Sequence, residues 1–229
     1  MPTLVLWDVD LTLLDLRRLG GRWFRQALSE VTGGRMGQVP PFGGRTDRWI
    51  AARMLESVDV PPTEELIGRL HAEVARLASA DRQRMADVGV VLPGAATVLK
   101  ELAARPDVVQ TLVTGNLRPV AELKVGTFGL DEYLDLEIGG YGGTSERRSV
   151  LVDEALTATE RKHGTRFVGS SVVVVGDTPH DVDAALEHGA RAVAVATGTF
   201  TEEQLRDSGA HVVLPELGDV PRSLAAILP

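Results

Sequence analysis

The stretch LVLWDVDLTLLD, residues 4–15, decides how the rest of the chain is read. It begins as a continuous apolar run and then sets down two aspartates, Asp8 and Asp10, with Thr12 close behind. A short apolar run without alternation suits a strand buried on both faces of a parallel sheet. Carboxylates at the end of such a strand are costly to bury unless something there uses them. A turn is the plain alternative, since aspartate often caps turns through nearby backbone amides.

Working outward, similar runs recur. VVQTLVT ends at Thr114, SVVVVGD at Asp177, RAVAVAT at Thr197 and AHVVLP at Pro215, and LDLEIGG, ending near Gly140, is a weaker candidate. Between them lie helical patterns: PGAATVLKELAAR, RPVAELKVGTFGL, SVLVDEALTATERKHG, HDVDAALEHGA and TEEQLRDSGA. Strands alternating with helices predict an α/β fold, a Rossmann-like parallel sheet core with helices on both faces. From about Leu16 to Val90 the rhythm breaks. That segment reads as three or four amphipathic helices with Gly and Pro punctuation and no convincing strand. The expected organisation is an α/β core of residues 1–15 and 91–229, with an all-helical insertion, residues 16–90, after the first strand.

Composition narrows the function. The chain has 229 residues, 44% hydrophobic and 24% charged, which is ordinary for a globular protein with a real core. The net charge of −8 and the lack of a long basic run argue against nucleic acid or an anionic membrane surface as partner. No cysteine is present, which excludes disulfides, thiol catalysis and cysteine-bound metal, and fits a cytoplasmic protein. No signal peptide is expected, and no apolar run approaches the roughly 20 residues that span a bilayer. The five histidines form no metal-binding pattern.

A second acidic cluster repeats the logic of the first. VVVVGDTPHDVDAA is a strongly apolar strand followed by Asp177 and then Asp181. In open parallel sheets the ligand crevice lies beyond the carboxyl ends of the strands. Two strands delivering carboxylates there can build a site for a hard cation such as Mg²⁺, which takes oxygen ligands and shares them with phosphate. Helix capping is the alternative role for Asp181. In TLVTGN, Thr114 and the amides of Gly115 and Asn116 can hold phosphate oxygens at a helix N-terminus. Lys124, one of only three lysines, falls on the helix that follows, where a plain surface lysine is the alternative.

Taken in this order, these segments resemble the haloacid dehalogenase superfamily, specifically its phosphoglycolate phosphatase-like members with a helical cap. DVDLT is similar to the first family motif, VTGN to the second and GDTPHD to the fourth, with PGAATVLKEL and GTFGLDEYLD as flanking segments. The resemblance implies that Asp8 is the nucleophile and Asp10 the general acid/base. It also implies Mg²⁺ held by Asp8, Asp177 and the backbone carbonyl of Asp10, with Asp181 at or beside the ion. Thr12 and Thr114 would position phosphoryl oxygens. The chain departs from the family where a Lys-Pro pair usually precedes the fourth strand, because TSERRSVLV stands there, with Arg147 and Arg148. Lys124 is the favoured stabilising cation and Arg148 its substitute. Leu11 stands where glycine is usual. Residues 16–90 would form the cap, and GGRTD, with Arg45 and Asp47, is the best candidate there for substrate specificity. Arg17, Arg18 and Trp23 lie near its hinge, with solvated arginines and a core tryptophan as the plainer reading.

The expected function is Mg²⁺-dependent hydrolysis of a small phosphorylated metabolite through an aspartyl-phosphate, in a monomer or homodimer. A sugar phosphomutase of β-phosphoglucomutase type is the alternative within the superfamily, and a non-catalytic binding protein is the alternative outside it.

Overall fold

A computed structural model describes residues 2–34 and 40–228. The core is a six-stranded parallel sheet in the order β5-β4-β1-β6-β7-β8. Its strands are β1 (Thr3–Trp7), β4 (Val108–Thr114), β5 (Gly140–Tyr141), β6 (Val172–Gly176), β7 (Arg191–Val195) and β8 (Val212–Leu214). β1 lies between β4 and β6, so the order reverses around it, which is where such sheets open a ligand crevice.

The apolar runs are explained by burial on both faces. Val5 and Trp7 point with Leu112, Val173 and Val175 to one side, where α5 (Ala95–Ala103), α6 (Arg118–Thr127) and α10 (Val220–Ile227) cover them. Leu4 and Leu6 point with Val113, Val172 and Val174 to the other, under α7 (Arg148–His163), α8 (Pro179–Glu187) and α9 (Glu202–Asp207). Trp7 stays satisfied in this interior because its indole N–H donates to Gln110 Oε1 at 3.1 Å.

Between the first strand and the rest of the sheet lie α1 (Leu19–Thr32), α2 (Asp47–Glu56), α3 (Glu64–Ala80) and α4 (Arg82–Val88). They share an apolar cluster of their own, built on Trp23, Phe24, Leu28, Ile50, Met54, Leu55, Leu70 and Met85, and rest on Leu117 and Val120 at the start of α6. Trp23 is part of this cluster, with its N–H on Asp81 Oδ2 at 2.9 Å.

Two expectations need correction, and one element was not anticipated. Two short strands, β2 (Leu14–Asp15) and β3 (Val90–Val91), pair antiparallel where the helical segment joins the core. They are too short for a periodicity to show. LDLEIGG is not a strand ending at Gly140. It holds a 3₁₀ turn at Leu136–Ile138, and the strand begins at Gly140 and runs for two residues. The last helix, α10, completes the apolar cover of one sheet face and was not anticipated.

Candidate functional site

Asp8 directly follows β1, and its amide extends the ladder by donating to the Val175 carbonyl at 2.9 Å. Thr114 ends β4, beside it on one side, and Asp177 follows β6 on the other. The parallel register therefore brings three motif residues, far apart in sequence, to one edge. Carboxylate oxygens of Asp8, Asp177 and Asp181 lie within 4.8 Å of one another, and all three residues are buried. Asp181 has two jobs. Its Oδ2 accepts from the Thr178 amide at 3.1 Å and the Thr178 hydroxyl at 2.7 Å, capping α8, while its Oδ1 meets the Arg148 guanidinium.

Among the described residues, one cation sits in this cluster. Arg148 opens α7, and its Nη2 lies 2.7 Å from Asp8 Oδ1 and 2.6 Å from Asp181 Oδ1. Lys124 is elsewhere. Its ammonium donates to Asp10 at 2.7 and 2.5 Å and to Asn116 Oδ1 at 2.5 Å. Asn116 in turn donates from Nδ2 to Asp10 Oδ2 at 2.8 Å and to Thr114 Oγ1 at 2.9 Å. The two cations thus divide the two acids of the first motif, Arg148 on Asp8 and Lys124 on Asp10. The sequence favoured Lys124 as the cation of the phosphoryl site, with Arg148 as its substitute, whereas it is Arg148 that lies on Asp8.

The electrostatics follow from crowding. Burial pushes Asp8 up to about 6, with Arg148 opposing and Asp181 adding to the rise. Asp177 is raised well above the usual carboxylate range, first by burial and then by Asp8 and Asp181. Burial alone would lower Arg148, but Asp181 and Asp8 outweigh it and hold the guanidinium charged. Three carboxylates against one guanidinium leave a formal deficit of two charges, which a divalent cation cancels. All the donors are hard oxygens, so the residues present fit a metal such as Mg²⁺.

The phosphate-binding candidates lie around the same edge. Thr12 is 1% exposed, and its hydroxyl has no hydrogen-bond partner among the described residues, so it is free for a ligand oxygen. Thr114 is fully buried and accepts from the Asn116 amide at 3.3 Å. Gly115 matters for approach, since a Cβ there would strike the Arg45 carbonyl. Leu11, where the resemblance suggested glycine, holds φ 61°, a left-handed conformation that costs a leucine of the order of 1–2 kcal/mol.

GGRTD lies over this edge. The Asp47 amide donates to the Gly115 carbonyl at 2.6 Å and the Arg48 amide to the Gly142 carbonyl at 2.9 Å. The Arg45 guanidinium is half-buried, stacked 4.5 Å from the centre of the Trp49 ring. A cavity of about 180 Å³ opens beside it, lined by Gly44, Arg45, Arg147, Arg148 and His180. Asp47 points inward, and its Oδ2 accepts from the Leu117 amide at 2.7 Å.

Two residues at the site were assigned no role from the sequence. Gly198 follows β7 and backs directly onto Asp177 Oδ2, where any side chain would collide. His180 packs against Gly44, and burial followed by the Arg45 charge lowers its pKa. A glycine after a strand is too common a signal to mark such a contact.

With this geometry in hand, comparison with known proteins decides the family. The haloacid dehalogenase-like hydrolase profile matches residues 5–186. The chain belongs to that family. Tyrosine-protein kinase PtkA of Mycobacterium tuberculosis is 27% identical over 201 residues, covering 86% of this chain and 63% of that protein. The chain therefore spans under two thirds of the length of that curated relative. A hydrolase from Pseudomonas syringae has the same fold at a TM-score of 0.67, with 19% identity and 100% coverage of both chains. A structure from Clostridium acetobutylicum described as a "predicted phosphatase" gives a TM-score of 0.69 at 16% identity, covering 98% of this chain and 99% of that one. These two likenesses speak to the fold.

Proposed function

We propose that this haloacid dehalogenase-like hydrolase is a phosphatase, a metal-dependent phosphomonoester hydrolase acting on a small phosphorylated metabolite. The observation that carries this is the juxtaposition of two acids with separate surroundings. Asp8 lies in the carboxylate cluster with Arg148, while Asp10 is oriented by Lys124 and Asn116. A dehalogenase has no need of the second acid, because halide leaves without a proton.

In the first step an Asp8 oxygen attacks phosphorus, the bond from phosphorus to the ester oxygen breaks, and Asp10 gives that oxygen a proton. In the second step water attacks the aspartyl-phosphate, Asp10 takes the proton of the water, and phosphate leaves Asp8 as a free carboxylate. A divalent cation held by Asp8, Asp177 and Asp181 would offset the charge of the phosphoryl group and favour the ionised form of Asp8. Thr12 and Thr114 orient phosphoryl oxygens, and Arg148 stabilises the charge that builds on them. The four-helix segment acts as a cap, and Arg45 reaches the part of the substrate beyond the phosphate.

A second reading keeps the first step and changes the acceptor. The likeness to a protein named as a tyrosine kinase favours passing the phosphoryl group to another hydroxyl instead of water. Incubation with p-nitrophenyl phosphate and a panel of phosphorylated metabolites, with and without Mg²⁺, tests both. Metal-dependent release of inorganic phosphate supports the hydrolase. Consumption of the donor with the phosphoryl group recovered on a second hydroxyl supports the transferase. No turnover of any phosphate ester in either condition removes the proposal.

A further inference from the structure

Asp47 was expected to meet the substrate, yet its surroundings suit a different task. It is the first residue of α2 and is 7% exposed. Its Oδ2 is bound by the Leu117 amide, at the very start of α6, so two helix N-termini converge on one carboxyl group. Its own amide holds the Gly115 carbonyl, and the next amide holds Gly142. Two of these bonds, to the Gly115 carbonyl and from the Leu117 amide, join the helical segment to the turn after Thr114, and the third joins it to the end of β5. No direct ion pair to Asp47 is present among the described residues. We propose that Asp47 is a positioning residue, the latch through which the helical segment is held shut on the phosphate-binding turn.

The chemistry of that latch has a consequence. A solvated aspartate is ionised at neutral pH, and closing the segment strips its water away. Burial raises Asp47 from the ordinary 3.8 to about 7, with the Leu117 amide, then Lys124, opposing the rise and Asp10 adding to it. The facing groups are therefore Lys124 on α6, Asp10 after β1, and His71 on α3, which bonds the Asp47 backbone and whose pKa is lowered by burial. The Arg48 side chain is turned away to Glu64. A group whose pKa is higher in the closed state than in the open one makes closure take up a proton. Closure is then favoured fully below about 4, loses ground as pH rises toward about 7, and is level above that.

The experiment needs no assumption about the reaction. The chain has no cysteine, so dyes can be placed at Arg69→Cys on α3 and Glu203→Cys on α9, both exposed positions. Single-molecule energy transfer then reads open and closed populations from pH 4 to 8.5. In the otherwise wild-type protein the open fraction should grow about threefold or more between pH 4 and 7 and then level off. Asp47→Asn keeps an acceptor for the Leu117 amide but cannot ionise, so it should stay closed and lose that dependence. Asp47→Ala should be open throughout. An equal pH dependence in wild type and Asp47→Asn overturns the proposal, and so does an Asp47→Ala protein as closed as wild type. If Asp47→Ala does not fold, the Asn comparison decides alone.

Discussion

Asp8 and Asp10 are two residues apart on one strand end and yet live in different electrostatic settings. Asp8 shares a buried pocket with two other carboxylates and is kept tolerable by Arg148. Asp10, partly exposed, is tied to Lys124 and Asn116. Loss of Arg148 should consequently cost the fold heavily. Arg148→Met leaves Asp8, Asp177 and Asp181 without their cation, and breaking a buried pair of this kind costs about 3–5 kcal/mol. The loss should be large at pH 8 and shrink at pH 5, where the raised carboxyls of Asp8 and Asp177 take up protons. Urea unfolding at the two pH values checks it, and equal losses at both would mean that the guanidinium contributes by packing and not by charge.

Elements place these residues, and the turn after β4 is the most constrained of them. Gly115 lies against the Arg45 carbonyl, so Gly115→Ala must push GGRTD away from the turn. The variant should fold, with kcat/KM down about tenfold or more, because misplacing groups by about an ångström costs that much. Unchanged kcat/KM would show that the contact between loop and turn plays no part in turnover. Arg45→Ala tests the other side of the loop. It should lower kcat/KM for the best metabolite about tenfold, the scale of one charge-assisted hydrogen bond, and affect p-nitrophenyl phosphate much less. Equal losses on both would assign Arg45 to loop closure instead. Much at this scale was legible beforehand. Apolar runs ending in Asp8, Thr114 and Asp177 marked three strand ends, because a strand buried on both faces must be apolar and its chemistry must wait for the end. The two-residue strand at Gly140 and the pair β2 and β3 were not legible, since two residues carry no periodicity. The partners of Asp47, Lys124 and Arg148 were hidden for another reason: they are set by how α2, α6 and α7 meet, which no local pattern encodes.

For the whole molecule, the raised acids should make stability depend on pH, and under the proposed metal site on metal as well. Asp8 titrates near 6 in the fold against an ordinary 3.8. Its contribution is therefore fully present below about 4 and is lost as pH rises through about 6, on the order of 3 kcal/mol for this residue alone. Chelated protein should show a falling Tm across that range. Mg²⁺ should raise Tm, and more so at pH 7.5 than at pH 5, because binding there displaces no proton from Asp8. A Tm increment from Mg²⁺ that is equal at both values would contradict the carboxylate cluster as the metal site. The central claim is narrower still, that Asp8 carries the phosphoryl group. The most direct measurement is peptide mass spectrometry of protein acid-quenched during turnover of its best phosphate ester with Mg²⁺. The account expects one phosphoryl group on Asp8 in wild type, and in Asp8→Asn neither that adduct nor turnover, with the fold retained. Steady turnover with the phosphoryl group on another residue, or an Asp8→Asn protein freed of deamidated material and active within about tenfold of wild type, would contradict it.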